Sequence, residues 1–269
     1  MKENKFYGIK TEALDELNSF ESKIEEIKIL GYTIIEDFIS EEEIIEASSK
    51  LDDIYDIQLN SFGKENLEII KELNLVRSPL VYDDLFLKIC TKPELISIVK
   101  YFLGDYFIIN QQNGIINTPN QVHHQSSWHR DLPYQDYIIS QPIGLSALCC
   151  IDDFNEQTGG TFGLPYSHLL SSMPSNNFIN KHKVPLNAKK GSLILFNAML
   201  YHQAGYNSSN NVRRGLNTLF TIPLIAQQMN LSKQMNGKFS DDTFLRKLIG
   251  YEINYPDSVD DWRMNRLNR

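Results

Sequence analysis

The sequence predicts one mainly β domain with flanking helices. Three observations carry that expectation. Short apolar or alternating runs, broken by Asn, Pro and Gly, follow one another from Tyr106 to about residue 222; no βαβ alternation interrupts them; and helical patterning is confined to the two ends. At 269 residues, with 42% hydrophobic and 11% aromatic content, the chain can bury a full core within one domain. No repeat, low-complexity linker or composition break divides it. Residues 1–269 are therefore read as a single domain: helical to about 105, a β core over about 106–222, then a helical tail.

Taken in order, residues 28–38 (KILGYTIIEDF) form a short β segment ending at Ser40. Ser40 and Glu43 compose a capping box that opens a helix through about Asp56. A second helix is expected from about Lys92 to Leu103, with Pro93 tolerated in its first turn and Gly104 just past its end. Candidate strands are 106–116, 126–131, 143–152, 160–164, 192–197 and 212–222, a spacing that suggests a sandwich or barrel with the N-terminal helices on one face. The tail returns to helical patterning near 224–230 and 241–249.

A net charge of -8, with Lys and Arg scattered along the chain, argues against nucleic-acid or anionic-membrane partners and leaves a small molecule as the expected one. Cys90, Cys149 and Cys150 form no CxxC pair and read as core thiols in a reducing compartment. The N-terminus has no signal-peptide apolar region, and no apolar run approaches the roughly 20 residues that span a bilayer, so a cytoplasmic location is expected. The sequons at Asn207 and Asn230 would matter only in a secreted protein.

The chemistry-bearing residues begin at SSWHRDLPYQ. On a strand, positions i and i+2 project to one side, so His129 and Asp131 can share a metal. Such a pair occurs often by chance. A third ligand must come from afar, and His202 follows the apolar run SLILF. Two imidazoles and one carboxylate leave open positions on an octahedral ion, the arrangement suited to Fe(II) oxygen chemistry. If 212–222 is a strand, Val212, Leu216 and Phe220 share an apolar face while Arg213, Asn217 and Thr221 share the other. An inward arginine needs an anion, and the far carboxylate of 2-oxoglutarate would suit its planar fork. Arg214 reads as a surface charge.

Here the sequence resembles the phytanoyl-CoA dioxygenase (PhyH) family of Fe(II)- and 2-oxoglutarate-dependent oxygenases. The resemblance runs through GYTIIEDFISEEEI, WHRD, IDDFNEQTGGTFGLPYSH, KKGSLILFNAMLYHQAGYN and RRGLN, in order. It implies a double-stranded β-helix (jelly-roll, cupin-like) core, iron ligands His129, Asp131 and His202, and Arg213 as the 2-oxoglutarate anchor. Fe(II), 2-oxoglutarate and O2 would then be used to hydroxylate an unactivated C–H, releasing succinate and CO2. Asp131 keeps the carboxylate that halogenating relatives replace.

Thr161 sits where relatives often place a hydroxyl near the cosubstrate, and Asn110 and Gln112 lie on a strand whose polar side chains often line the pocket; each equally fits a plain β-former or an exposed edge. Trp128, Tyr134 and Asn217 are candidates for binding substrate, and Tyr137 reads as a core aromatic. There are two departures from the family pattern. Ala204 stands where some relatives have a serine contacting the cosubstrate, and Tyr166 replaces the glycine of the PGSH turn. His168 reads as structural, and His123 and His124 as exposed loop residues. Two other functions are compatible with the same residues: a non-enzymatic cupin-like ligand-binding or sensor protein, and a zinc hydrolase using the same three ligands. Substrate and oligomeric state are left open.

Overall fold

Side-chain caps and buried stripes account for the helices of the computed structural model, which describes residues 17–132 and 138–267 apart from the side chains of His124 and Asn265. Asn18 and Glu21 form a capping box on α1 (Ser19–Ile29), a helix the sequence reading did not assign. After β1 (Tyr32–Ile35), Ser40 and Glu43 cap α2 (Glu41–Phe62) as expected. This helix continues past Asp56 because its buried stripe of Ile44, Ala47, Leu51 and Ile54 is intact and nothing stops it before Gly63, at φ 91°. Then come α3 (Lys64–Ile69), β2 (Leu75–Arg77), α4 (Pro79–Tyr82), α5 (Asp84–Cys90) and α6 (Pro93–Leu103). Pro93 opens α6 and Gly104, at φ 82°, ends it.

The core follows as β3 (Ile108–Asn117), β4 (Gly144–Cys150), β5 (Thr161–Gly163), α7 (Asn176–His182), β6 (Val184–Pro185), β7 (Leu193–Asn197), β8 (His202–Ala204) and β9 (Arg213–Thr221). The tail carries α8 (Leu231–Met235), α9 (Thr243–Ile249) and α10 (Val259–Leu267). All named strands pair antiparallel, in one six-stranded sheet ordered β1-β7-β4-β9-β3-β2 and one three-stranded sheet ordered β6-β5-β8. This is the sheet-rich core with flanking helices that the sequence predicted; among the described residues no strand pairing closes the two sheets into a barrel.

Strand alternation decides what each face of the large sheet meets. Ala147, Cys149, Leu216 and Phe220 pack toward the helices, in one cluster with Leu51, Phe86 and Ile98. Leu148, Cys150, Ile115 and Ile194 face the other way, clustering with Phe154, Leu186 and Leu200. Arg213 and Asn217 therefore share the inner face, where both line one cavity.

Two expectations are corrected. Residues 126–131 do not form a strand. A 3-10 turn at His124–Ser126 precedes a single bridge in which the His129 and His202 amides each donate to the other's carbonyl at 3.0 Å, and the Asp131 amide then turns to Ala198 O at 3.1 Å. Residues 224–230 are not helical. There the Gln228 amide donates to Asn110 O and the Gln227 side chain to Ile109 O, so the segment covers β3, and Asn230 instead caps the short α8.

The three cysteines are free and buried. Burial pushes the thiols of Cys90 and Cys149 up to about 12 and that of Cys150 well above its ordinary value. Because the thiolate is the reactive form, all three should resist alkylation at neutral pH in the folded protein and react promptly once it is denatured, as a timed thiol titration would show. No helix among the described residues is long and apolar enough to cross a membrane.

Candidate metal centre

The bridge between His129 and β8 draws two distant imidazoles together, with ring centroids 4.3 Å apart. Asp131, two positions on, brings its Oδ1 to 3.5 Å from His202 Nε2. One ligand atom from each of His129, Asp131 and His202 lies within 4.8 Å of the other two. His129 Nδ1 donates to Ser127 O at 2.8 Å and His202 Nδ1 to Leu200 O at 3.0 Å. A carbonyl can only accept, so both rings carry their proton on Nδ1 and present Nε2 to the shared space.

The carboxylate is held with equal care. Ser146 on β4 donates its hydroxyl to Asp131 Oδ2, and Asn217 Nδ2 on β9 donates to the same oxygen at 3.3 Å, leaving Oδ1 toward His202. Burial alone would disfavour charge here, yet His202, His129 and the Ser146 hydroxyl hold the Asp131 carboxyl well below the usual carboxylate range. Burial likewise works against charge on His202, and Asp131 outweighs it and raises that imidazole. Ser146 was not foreseen; the signal was a hydroxyl inside the apolar run GLSALCC. Loss of such an outer partner typically lowers metal affinity or activity 10–100-fold, so Ser146→Ala should weaken metal binding by about that factor with little change in the unfolding midpoint, measured by metal titration and thermal melting.

Arg213 lines a small cavity that also touches His129, His202, Thr161 and Asn217. Only 2% of it is exposed. Its Nη2 donates to Gly159 O at 2.7 Å and its guanidinium carbon lies 4.3 Å from the centre of the Phe154 ring, while buried Nε has no hydrogen-bond partner. Gly159 has φ 70°, and a Cβ there would come within 2.6 Å of Asn117 Nδ2, so glycine is needed to place that carbonyl. Arg213 makes no ion pair among the described residues, and burial pulls it down to about 10, still a cation at neutral pH. Its neighbour Arg214 is not a free surface charge as expected, for it pairs with Asp52 at 2.7 Å and Asp152 at 3.2 Å.

A second cavity, about 340 Å³, opens beside His129 and Asp131 and also touches Asn217, Asn110 and Gln111. Gln112 is not on it. Its amide turns to the helical layer, donating to Phe86 O and Thr218 Oγ1 and accepting from the Leu80 amide. The cause is a register shift between Ile109 and Gln111, a bulge that puts Asn110 and Gln111 toward the cavity and reverses the side for Gln112. Trp128 also turns away, packing against Leu164, Ile179 and Tyr201, because it alternates with His129. Tyr134 and Tyr137 lie outside the described residues.

Arg130 alternates the same way as Trp128. It is buried, stacks 4.0 Å over the Tyr201 ring, and donates to the carbonyls of Met199, Ser167 and Leu170, clamping the segment of His129 and Asp131 to the turn after β5. In that turn Tyr166 keeps the left-handed backbone, φ 65°, that a glycine would adopt more readily. His168 is structural, its Nε2 bonding Lys28 O at 3.2 Å. His123 is buried, not exposed, and its Nδ1 accepts from the Gln125 amide in the turn leading to His129.

Residues 30–215 match the family model described as phytanoyl-CoA dioxygenase (PhyH). The uncharacterized protein Rv1501 of Mycobacterium tuberculosis is 30% identical over 213 residues, covering 76% of each chain. The dioxygenase trt7 of Aspergillus terreus is 39% identical over 77 residues, which is 28% of this chain and 26% of that protein. Among solved structures, the non-heme alpha ketoglutarate dependent epimerase SnoN of nogalamycin biosynthesis superposes with a TM-score of 0.59 at 15% identity, over 76% of this chain and 83% of its own. AviO1 of Streptomyces viridochromogenes superposes with a TM-score of 0.56 at 16% identity, over 77% and 97%. At such identities these structures speak for the fold.

Proposed function

Because this chain belongs to the phytanoyl-CoA dioxygenase (PhyH) family, we propose that it is an Fe(II)- and 2-oxoglutarate-dependent oxygenase that hydroxylates a small metabolite. The observation that carries this reading is one small cavity lined by two of the three clustered ligand residues, His129 and His202, together with a buried arginine that has no ion-pair partner among the described residues. The donor set fits the metal: two neutral imidazole nitrogens and one carboxylate oxygen, their other polar atoms already bonded, leave room for further ligands on the ion. Arg213 fits the cosubstrate, since an uncompensated buried guanidinium favours a carboxylate partner. SnoN, whose fold this chain shares, has been crystallised with Fe3+, alpha ketoglutarate and nogalamycin RO.

In this reading His129, Asp131 and His202 hold Fe(II), and Arg213 binds the far carboxylate of 2-oxoglutarate. Bound iron and 2-oxoglutarate supply the oxidising power of O2 for C–H hydroxylation, with succinate and CO2 as co-products. The protein's own contributions are positional. Ser146 and Asn217 hold the Asp131 carboxylate so that only one oxygen is offered to the metal. Thr161 pairs directly across from Ala204 in the β5–β8 ladder, so its hydroxyl is a cross-strand neighbour of the position where some relatives have a serine, and it is the group to replace that contact. Leu148, Ile115 and Phe196 line the same cavity and limit water around the cosubstrate.

A zinc hydrolase would need a general base beside the metal ligands, and Asp131 is the sole acidic residue among the described residues lining the two cavities beside the triad. The test is aerobic turnover of 2-oxoglutarate by the iron-loaded protein. Succinate formation that rises with a substrate and stops on chelation supports the reading. Tight ligand binding with no decarboxylation under any condition would instead indicate a sensor.

A further inference from the structure

The cavity beside His129 and Asp131 is lined by carboxamides, with few apolar groups among the described residues. Leu75 and Ile115 are its apolar contacts among the described residues, so that described lining offers little to an acyl chain. Its arginines are engaged within the protein. Arg77 is paired with Glu72, and Arg130, which has no ion pair among the described residues and one buried nitrogen, Nη1, without a hydrogen-bond partner, stacks on the Tyr201 ring and donates to the Met199, Ser167 and Leu170 carbonyls.

The hydrogen bonds along its wall have a fixed direction. Glu72 accepts from Arg77; Arg77 Nη1 donates to Asn113 Oδ1 at 3.3 Å; Asn113 Nδ2 donates to Gln111 Oε1 at 3.1 Å. Each step is forced by the one before, because a guanidinium can only donate. Gln111 therefore has its acceptor oxygen occupied and its Nε2 left to donate. On the neighbouring strand, directly across from Asn113, the order is reversed. Asn217 must turn Nδ2 to the Asp131 carboxylate, which leaves Oδ1 as an acceptor, and that buried oxygen has no hydrogen-bond partner in the protein. The cavity thus presents a donor on β3 and an acceptor on β9 beside the metal ligands.

Resting on the oxygenase reading above, we infer that the substrate is an uncharged, hydroxyl-rich small molecule, with one hydroxyl donating to Asn217 Oδ1 and another oxygen accepting from Gln111 Nε2. A hydroxyl group both donates and accepts, so one class of group satisfies both strands. Gln111 and Asn113 are specificity-determining residues of this site, and Asn217 joins the substrate to the metal-binding carboxylate.

The experiment is anaerobic calorimetry on the protein loaded with Fe(II) and 2-oxoglutarate, titrated with myo-inositol, a set of methyl glycosides, a fatty acyl-CoA and a set of free amino acids. The visible absorption of the iron–2-oxoglutarate complex is recorded first, so that failure of the oxygenase reading is seen separately. Binding by the polyhydroxylated compounds, weakened roughly tenfold in Gln111→Leu with the absorption unchanged, is the expected result. Gln111→Glu keeps the shape and the Asn113 bond but removes the donor, and should weaken binding similarly. Preferential binding of the acyl-CoA or the amino acids, or equal affinity of wild type and both variants for the polyhydroxylated ligands, overturns the proposal.

Discussion

Replacing His129 by alanine should abolish iron binding and the formation of succinate. The imidazole supplies one of three ligand atoms that lie within 4.8 Å of one another, and nothing else in the described cavity lining provides a substitute nitrogen. Removing an outer partner already costs about 10–100-fold, so loss of a ligand itself should exceed 100-fold. The fold should survive, because the paired backbone bonds between His129 and His202 do not depend on the side chain. Metal analysis, succinate assay and a thermal melt on the same preparation separate these effects. Retention of wild-type turnover in His129→Ala would refute the ligand assignment.

Arg213→Met should separate cosubstrate binding from stability. The arginine is buried with no ion pair of its own, and its desolvation is an unrecovered cost in the protein alone. Methionine fills much of the same space without charge. Without 2-oxoglutarate the variant should be at least as stable as the parent. With it, loss of one partner of a buried charge pair costs about 2–5 kcal/mol, which raises KM for 2-oxoglutarate roughly 30- to 4,000-fold. Iron affinity should be unchanged, since Arg213 touches none of the three ligands through any hydrogen bond or ion pair. A destabilised variant with normal KM would show that Arg213 serves packing instead.

The clustering of His129, Asp131 and His202, with Arg213 on a nearby cavity, was legible because its signals are local: an i, i+2 pair, a histidine after an apolar run, and an arginine whose face follows from strand alternation. Alternation also set the limits. The resemblance offered Asn110 and Gln112 together as pocket residues, as a period of two would allow, but the bulge between Ile109 and Gln111 breaks that period, turning Gln112 to Phe86 and bringing Gln111 to the cavity. Trp128 was grouped with His129 by proximity in sequence, where alternation places it on the opposite side with Arg130. Ser146 and Gln111 acquire their roles only through partners on other strands, a long-range pairing that local pattern does not encode. The helices showed the same division. The capping box at Ser40 fixed a start, while the end of α2 and the non-helical 224–230 depended on what those residues pack against.

The most direct test of the central claim is the visible spectrum of anaerobic protein reconstituted with Fe(II), before and after addition of 2-oxoglutarate. One iron per chain, a new charge-transfer absorption on adding 2-oxoglutarate, and its loss in His129→Ala are predicted. Iron binding with no spectral change at saturating 2-oxoglutarate, or an unaltered spectrum in the variant, would contradict the account.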